Sequence, residues 1–414
     1  MEPRNDLHPP NGARRRLSRR RGVSIRGEHE KAAILGGGIG GLACALALHR
    51  AGVECTVHER ANELREIGAG LLLSPNACAV IRALGLLPAL AARAVETPAW
   101  DLLDAKGGRL SRILACHSRD DVSLSTRRTD LHEVLLSALP PGTVTPGRDA
   151  MEIRAENGRV FVRFGNGSSL ETPLLIAADG SQSVVRKTFQ PSRVLRFQGY
   201  VGWRSIVTDV PAGWEHGRVT ESWGRGKRFG IAPVGGGRCY WYATTNEPFT
   251  ETHADSRREH LLREFTGWHQ PVRDLIAAST EGEILRHPIS DTLPPMRWSH
   301  GARIALLGDA AHTLTPNLGQ GCAMALEDAW TLARCLTGSS STAIALRRYE
   351  IARRARLAMI WAASRASGLL IQWENPLLCA LRDFSLRCTP DAVATFALRK
   401  LLGFQIARFP ASLS

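Results

Sequence analysis

The stretch KAAILGGGIGGLACALALHRAGVECTVHER, Lys31 to Arg60, constrains the fold more than any other part of the chain. An apolar run, Ala32 to Leu35, ends in a glycine turn, an Ala/Leu-rich helix reaches to about Ala51, and Gly52 leads into a second strand, Glu54 to His58. Strand, helix and parallel strand in that order form a βαβ unit, whose sheet must be covered on its faces. Gly36, Gly38 and Gly41 supply G-x-G-x-x-G, with Gly40 inside the pattern. The first glycine permits the tight turn, the second lets the backbone approach a pyrophosphate, and the third lets helix and strand pack closely. Glu59, followed by Arg60, stands near the ~20-residue spacing of an acid that binds ribose hydroxyls. Its charge repels a 2′-phosphate, so this site suits the adenosine of FAD or NAD better than that of NADP.

Two later segments repeat the pattern of strand, acid and small-residue loop. LLIAADGSQSVVRKTF places Asp179 and Gly180 after an apolar strand, with Ser183 and Arg186 following. RIALLGDAAHTLTPNLGQGCAMALEDA ends another strand at Asp309 and continues through Pro316 and the Gly319-Gln320-Gly321 turn into an amphipathic helix starting near Cys322 and Ala323. A phosphate at such a helix start meets unpaired N–H groups and the positive end of the dipole. Arg127 and Arg128 open another helix, RTDLHEVLLSALP, where a cation gains nothing from the dipole. That placement invites a ligand explanation, against the alternative of a solvated arginine. A short amphipathic helix is expected over Asn76 to Leu87, and a β-meander around Gly158 and Gly165 to Gly167. From Gly199 to Thr245 the chain turns β-rich and aromatic, and the alternation Cys239-Tyr240-Trp241-Tyr242 predicts strands with one face toward a cavity.

The formal charge of +14 is concentrated partly in NGARRRLSRRRGVSIRG, a run without the apolar core of a secretory signal. It is read as a disordered, solvated arm over residues 1–30, or as the product of a start codon set too far upstream. Its charge alone gives no specific nucleic-acid partner, although contact with nucleic acid or an anionic membrane surface stays open. Nine scattered cysteines without CxxC suggest reduced, mostly buried side chains in a cytoplasmic protein, with no metal site. No run reaches the ~18 apolar residues of a membrane span. The segment from Leu357 to Phe409 reads as amphipathic helices packed on the fold, with a peripheral membrane contact as the alternative.

With these three nucleotide segments in order, the chain from about Lys31 to Tyr349 resembles the group A FAD-dependent aromatic hydroxylases, which include p-hydroxybenzoate and salicylate hydroxylases. GYVGWRSIV, GKRFGIAPVGGGRCYWY and the PN of TPNLGQG are most similar to a branch with FAD-dependent urate hydroxylase, 3-hydroxybenzoate 6-hydroxylase and zeaxanthin-epoxidase-like enzymes. The resemblance implies a mixed α/β fold. A Rossmann-like FAD domain (31–190, returning at 301–350) would carry an inserted antiparallel β-sheet substrate domain (191–300) and C-terminal helices (351–414). It further implies that Gly36, Gly38, Gly40, Gly41, Glu59, Arg60 and Arg128 hold the ADP half of FAD. Asp179 would serve FAD and the nicotinamide nucleotide together, and Asp309 would contact ribityl or ribose hydroxyls. Pro316 would border the flavin, and the turn of Gly319, Gln320, Gly321, Cys322 and Ala323 would bring backbone N–H groups to its isoalloxazine and pyrophosphate. Arg228 and Tyr240 match substrate-facing positions of the urate enzymes, and Arg204 beside Trp203 is a third candidate. Wall packing or a surface salt bridge are the competing roles.

The implied reaction is NADH- or NADPH-driven reduction of FAD, capture of O2 as a C4a-hydroperoxide, and transfer of one oxygen to an electron-rich aromatic or heteroaromatic ring. Epoxidation of an activated double bond in a quinolone, polyketide or isoprenoid of secondary metabolism is an alternative. So is a flavin oxidase or reductase without oxygen insertion. A monomer or homodimer is expected. His312 in GDAAH reads as a structural hydrogen-bonding group rather than a base.

Overall fold

A computed structural model describes residues 31–64, 69–114, 121–208, 210, 218–250, 255–293 and 297–403. The basic arm and the last residues of the expected C-terminal helical segment lie outside them. The βαβ opening is formed by Ala32–Leu35, the helix Ile39–Arg50 and Cys55–His58. It seeds a six-stranded sheet in the order Ser299–His300, Ile304–Leu306, Leu174–Ala177, Ala32–Leu35, Cys55–His58, Val144–Thr145. Every pairing is parallel except that of the first two strands. The central strands are buried along their whole length, and Leu42, Ala43, Cys44 and Leu48 of the helix are fully covered. That burial explains why these strands read as continuous apolar runs rather than alternating ones. The strands after which Gly36, Asp179 and Asp309 follow are neighbours, Ala32 opposite Leu174 and Leu175 opposite Ile304. All three turns therefore meet at one sheet edge, the C-terminal edge where open α/β sheets place ligands.

The second large sheet has seven strands, Leu285–Asp291, Arg196–Val207, Arg238–Thr245, Lys227–Val234, Val219–Trp223, Ala99–Asp104 and Arg109–Leu114. Its last two strands come from a hairpin within the stretch read as part of the flavin domain, so this sheet is not confined to 191–300. It is also not wholly antiparallel, because Val219–Trp223 runs parallel to Ala99–Asp104. The hairpin's pattern is only half-buried and shows no signal of its distant partner. The meander has three strands, Ala150–Glu156, Arg159–Phe164 and Ser169–Thr172. The segment expected as one helix over Asn76 to Leu87 is Pro75–Ala83, with a separate short helix at Leu87–Ala91. Behind the flavin-side sheet the helix Gly321–Thr337 packs on Ile39–Arg50 and on the long helix Thr342–Ile371; Pro376–Cys388 and Asp391–Leu402 follow. Among the described residues no helix is long and apolar enough to cross a membrane.

His58, buried at the end of its strand, has a pKa lowered to about 4, first by burial and then by the Arg148 charge. The unfolded chain takes up this proton near pH 6.5 and the folded one only near 4. His58 therefore costs stability as pH falls through that window, by up to ~3 kcal/mol at 1.36 kcal/mol per unit. His58→Asn is expected to flatten the acid limb of a denaturation-versus-pH profile, and an unchanged limb would place the acid sensitivity elsewhere.

Candidate active site

At the glycine loop, Gly36 has φ +103°, and a Cβ there would lie 2.3 Å from the Ala178 carbonyl oxygen. A Cβ on Gly41 would lie 2.0 Å from the Gly36 oxygen. These contacts explain why both positions need glycine. The helix Ile39–Arg50 starts at Gly38 with no side-chain cap and no acid in its first turn. Its first N–H groups and the dipole are thus left for an anion. Glu59 takes the Gly37 N–H on Oε2 at 2.6 Å and the Ala61 N–H on Oε1 at 2.9 Å, which fixes its carboxylate at the rim of the loop. Beside it is a cleft of about 510 Å³ lined by Gly36, Gly38, His58, Glu59, Arg60 and Asp179, among others. Gly41 does not line it, so its role is packing. Arg127 is bound to Asp130 through two hydrogen bonds of 2.8 and 2.5 Å. Arg128 instead lines both this cleft and the next. One cation of the RR pair is thus structural, and the other faces the ligand space.

The Asp179 and Asp309 turns are joined by Arg186. Its buried guanidinium donates to the backbone oxygens of Asp309 and Ala310, each at 3.0 Å, and to that of Ser181. Asp179 accepts the Val184 N–H at 2.9 Å on Oδ2, while its buried Oδ1 has no hydrogen-bond partner among the described residues. Burial pushes its carboxyl upward. Asp309 opens into a second cavity of about 470 Å³ and is surrounded by protein on its other sides, which pushes its carboxyl up as well, against the opposing charges of His312, Arg128 and Arg186. His312 is 2.5 Å from Asp328, which also accepts Gly308 N–H at 3.0 Å. Asp328 and Glu327 are in turn held by the buried Arg353, each at 2.6 Å. His312 thus belongs to the supports of the loop.

Pro316, Gly319, Gly321 and Cys322 line the second cavity, and Gly319 has φ +63°. Gln320 and Ala323 do not. Gln320 hydrogen-bonds Ser74 and Asn76, each at 2.9 Å, on the other side of the turn, and Ala323 is buried in the core. Gln320 is the helix N-cap and places its side chain against Pro75–Ala83 rather than over the cavity.

The opposite wall of the 470 Å³ cavity is the seven-stranded sheet, with Arg204, Glu221, Arg228, Tyr240 and Tyr242. Tyr240 leans onto Gly70, where a Cβ would be 2.2 Å from its ring, and its hydroxyl has no hydrogen-bond partner among the described residues. Burial raises its pKa, opposed by Arg204 and Arg228. Arg228 is 2% exposed; it donates to Asn317 Oδ1 at 2.9 Å and lies 3.6 Å from Glu221. Arg204 is 2.8 Å from His287, which burial and the Arg204 charge depress to a pKa of about 4.

Three residues around this cavity escape a sequence reading. Glu221 lies opposite Gly230, and Gly230 opposite Tyr242. A Cβ on Gly230 would overlap the Tyr242 ring, and that gap lets Tyr242 reach Glu221 at 2.5 Å. Trp223 donates to the same carboxylate at 2.6 Å. The two-residue spacing of Tyr240 and Tyr242 puts them on one face and could have marked Tyr242. Glu221 depends on strand register, and Asn317, which bridges Arg228, Tyr200 and Ser364, depends on the long helix.

Residues 29–364 match the FAD binding domain family. The protein is an FAD-dependent monooxygenase of the aromatic hydroxylase type. An aurachin C monooxygenase/isomerase of Stigmatella aurantiaca is 38% identical over 358 residues, 86% of this chain and 93% of the relative. A 2-heptyl-3-hydroxy-4(1H)-quinolone synthase of Pseudomonas aeruginosa is 34% identical over 371 residues, covering 87% and 94%. The Klebsiella pneumoniae HpxO structure with FAD and uric acid superposes with a TM-score of 0.83 at 29% identity, over 91% of this monooxygenase and 97% of HpxO. The features of the site fit FAD independently. There is an uncapped helix start at a loop closed to side chains, an acid fixed beside it, and a second acid reached along a continuous path lined by Gly38, Arg128 and Gly180.

Proposed function

We propose that this monooxygenase uses NADH or NADPH to insert one oxygen atom of O2 into a carbon of an electron-rich heteroaromatic ring of the quinolone kind. The observation that carries the reading is the cavity wall opposite Asp309, where Tyr240 presents an unpaired hydroxyl beside an arginine already matched by Glu221. Arg228 meets a buried carboxylate and Asn317, so it does not stand as an isolated hook for a benzoate carboxylate. A neutral ring bearing an N–H or O–H suits such a wall better, because a buried charge needs a partner. The 2-heptyl-3-hydroxy-4(1H)-quinolone synthase relative supports the same ring class.

Bound FAD would supply the redox chemistry, taking hydride from the nicotinamide and activating O2. In this reading the loop from Gly319 to Cys322 borders the flavin ring, Asp309 holds hydroxyls of its side chain, and Arg128 balances the pyrophosphate. Tyr240 orients the ring hydroxyl or carbonyl of the substrate. Tyr242 and Glu221 hold the floor, and the aromatic sheet excludes water.

The test is NAD(P)H oxidation by purified holoenzyme with 4(1H)-quinolone as probe, followed by mass spectrometry. The expected product gains the mass of one oxygen atom, and a product unchanged or lighter by two hydrogens would overturn oxygen insertion. Tyr240→Phe is expected to keep FAD while lowering product formed per NAD(P)H several-fold, with H2O2 as the difference. Unchanged coupling would move the orienting role to another wall residue.

A further inference from the structure

A third cavity, about 710 Å³, lies between the helices Pro75–Ala83 and Asp391–Leu402 and the Ala99–Leu114 hairpin. Leu72, Trp100 and Gly319 line both it and the 470 Å³ cavity, so the two adjoin beside the flavin-side loop. We propose that this cavity is a subsite for an aliphatic chain carried by the ring substrate, an inference that rests on the ring lying against Tyr240.

The walls are hydrocarbon in character, with Leu72, Ala79, Ile113, Leu318, Phe396 and Leu402. Ser74, Asn76, Gln320 and Ser123 among them are hydrogen-bonded within the protein. Ser74 donates to Asn76 at 2.6 Å, Gln320 bonds both, and Ser123 donates to the Leu73 carbonyl at 3.1 Å. Of the charged residues, Arg82, Arg399 and Lys400 are exposed and Asp121 is half-buried. Such a space offers a ligand contact area and few directional bonds, which matches a chain of methylenes. Burying them gains roughly fourfold in affinity per methylene.

The far wall is built rather than loosely apposed. Asp391 accepts the Arg112 N–H at 2.8 Å, Thr395 accepts the Leu114 N–H at 3.1 Å, and Arg356 donates to the Leu402 carbonyl at 3.0 Å while bound to Glu327 at 3.2 Å. Glu327 belongs to the buried network that holds the Asp309 loop. The cavity and the flavin-side loop therefore share one support.

The experiment measures binding to the holoenzyme through the flavin absorbance change, without NAD(P)H. The probes are 4(1H)-quinolone and a ladder of 2-alkyl derivatives up to heptyl. The affinity of the parent protein is expected to rise with chain length, by at least ~100-fold at heptyl. Ala79→Trp and Ile113→Trp, on separate elements and outside the flavin and ring contacts, should each cut that advantage to below ~10-fold and leave the bare ring's affinity in place. Affinity independent of chain length in the parent protein overturns the subsite, whatever the variants do. A ladder that survives both fillings overturns it too, as does a rise in the KM for NAD(P)H with the chain preference intact, which would make this the nicotinamide's entry. The two readings fail separately. Oxygenation of the bare ring without chain dependence removes the subsite alone, and chain dependence without oxygenation removes the ring chemistry alone.

Discussion

Asp309→Ala is expected to yield a folded, nearly colourless protein whose affinity for FAD has fallen by ~100-fold or more. Asp309 faces the cavity with a carboxylate that the described residues do not hydrogen-bond, so its removal takes away bonds that only a ligand makes. Two charge-assisted bonds to hydroxyls contribute about 1.5–3 kcal/mol each. The backbone should survive the change, because Arg186 holds the carbonyl oxygens of Asp309 and Ala310 rather than the carboxylate. Asp309→Asn keeps the shape and some hydrogen bonding, and should fall between the two. The check is the flavin absorbance of purified protein with its far-UV circular dichroism. An alanine variant that stays fully yellow would transfer the hydroxyl contacts to another group.

Glu221→Ala is expected to lower stability by about 3–5 kcal/mol, since it leaves Arg228 charged in a buried position with Asn317 as its remaining strong partner. Glu221→Gln should cost less, and the double change Glu221→Gln with Arg228→Met should recover part of the loss. Urea denaturation of the parent protein, Glu221→Gln, Arg228→Met and the double variant forms a cycle. A coupling of more than ~1 kcal/mol is expected, and strict additivity would show that the 3.6 Å pair does not act as a pair. The same variants should bind the ring substrate more weakly while retaining FAD, because Glu221 also holds Tyr242 and Trp223.

Much of the flavin half was legible because its signals are local. Gly36 and Gly41 are dictated by backbone contacts within one βαβ unit, and the apolar strands before Asp179 and Asp309 announce a parallel sheet by being apolar throughout. The substrate side was only partly legible. Resemblance marks Tyr240 and Arg228, which both line the cavity wall, but the charge balance around Arg228 depends on Glu221, which comes near it through strand register and a missing side chain at Gly230. Gln320 reads as a ligand residue through its backbone in a glycine turn, while the contacts of its side chain, Ser74 and Asn76, are distant in sequence and could not be read. Arg127 and Arg128 are indistinguishable by type; Asp130, one helical turn on, binds the first, and the second lines both cavities.

The hairpin Ala99–Leu114 leaves the flavin-side half of the chain to complete the substrate sheet. Its strand Ala99–Asp104 has to wait for Val219–Trp223 to be synthesised before its parallel edge is covered. During that interval an unpaired edge stands open to wrong partners, the situation in which chaperones are recruited. The same crossing sets a rule for inheritance. A recombination event that exchanged only residues 191–300 with a relative would join foreign strands to a resident hairpin. New substrate preferences in this lineage should then arise more readily by point changes on the cavity wall, or by exchanges that carry the hairpin along, than by swapping the sheet as a cassette.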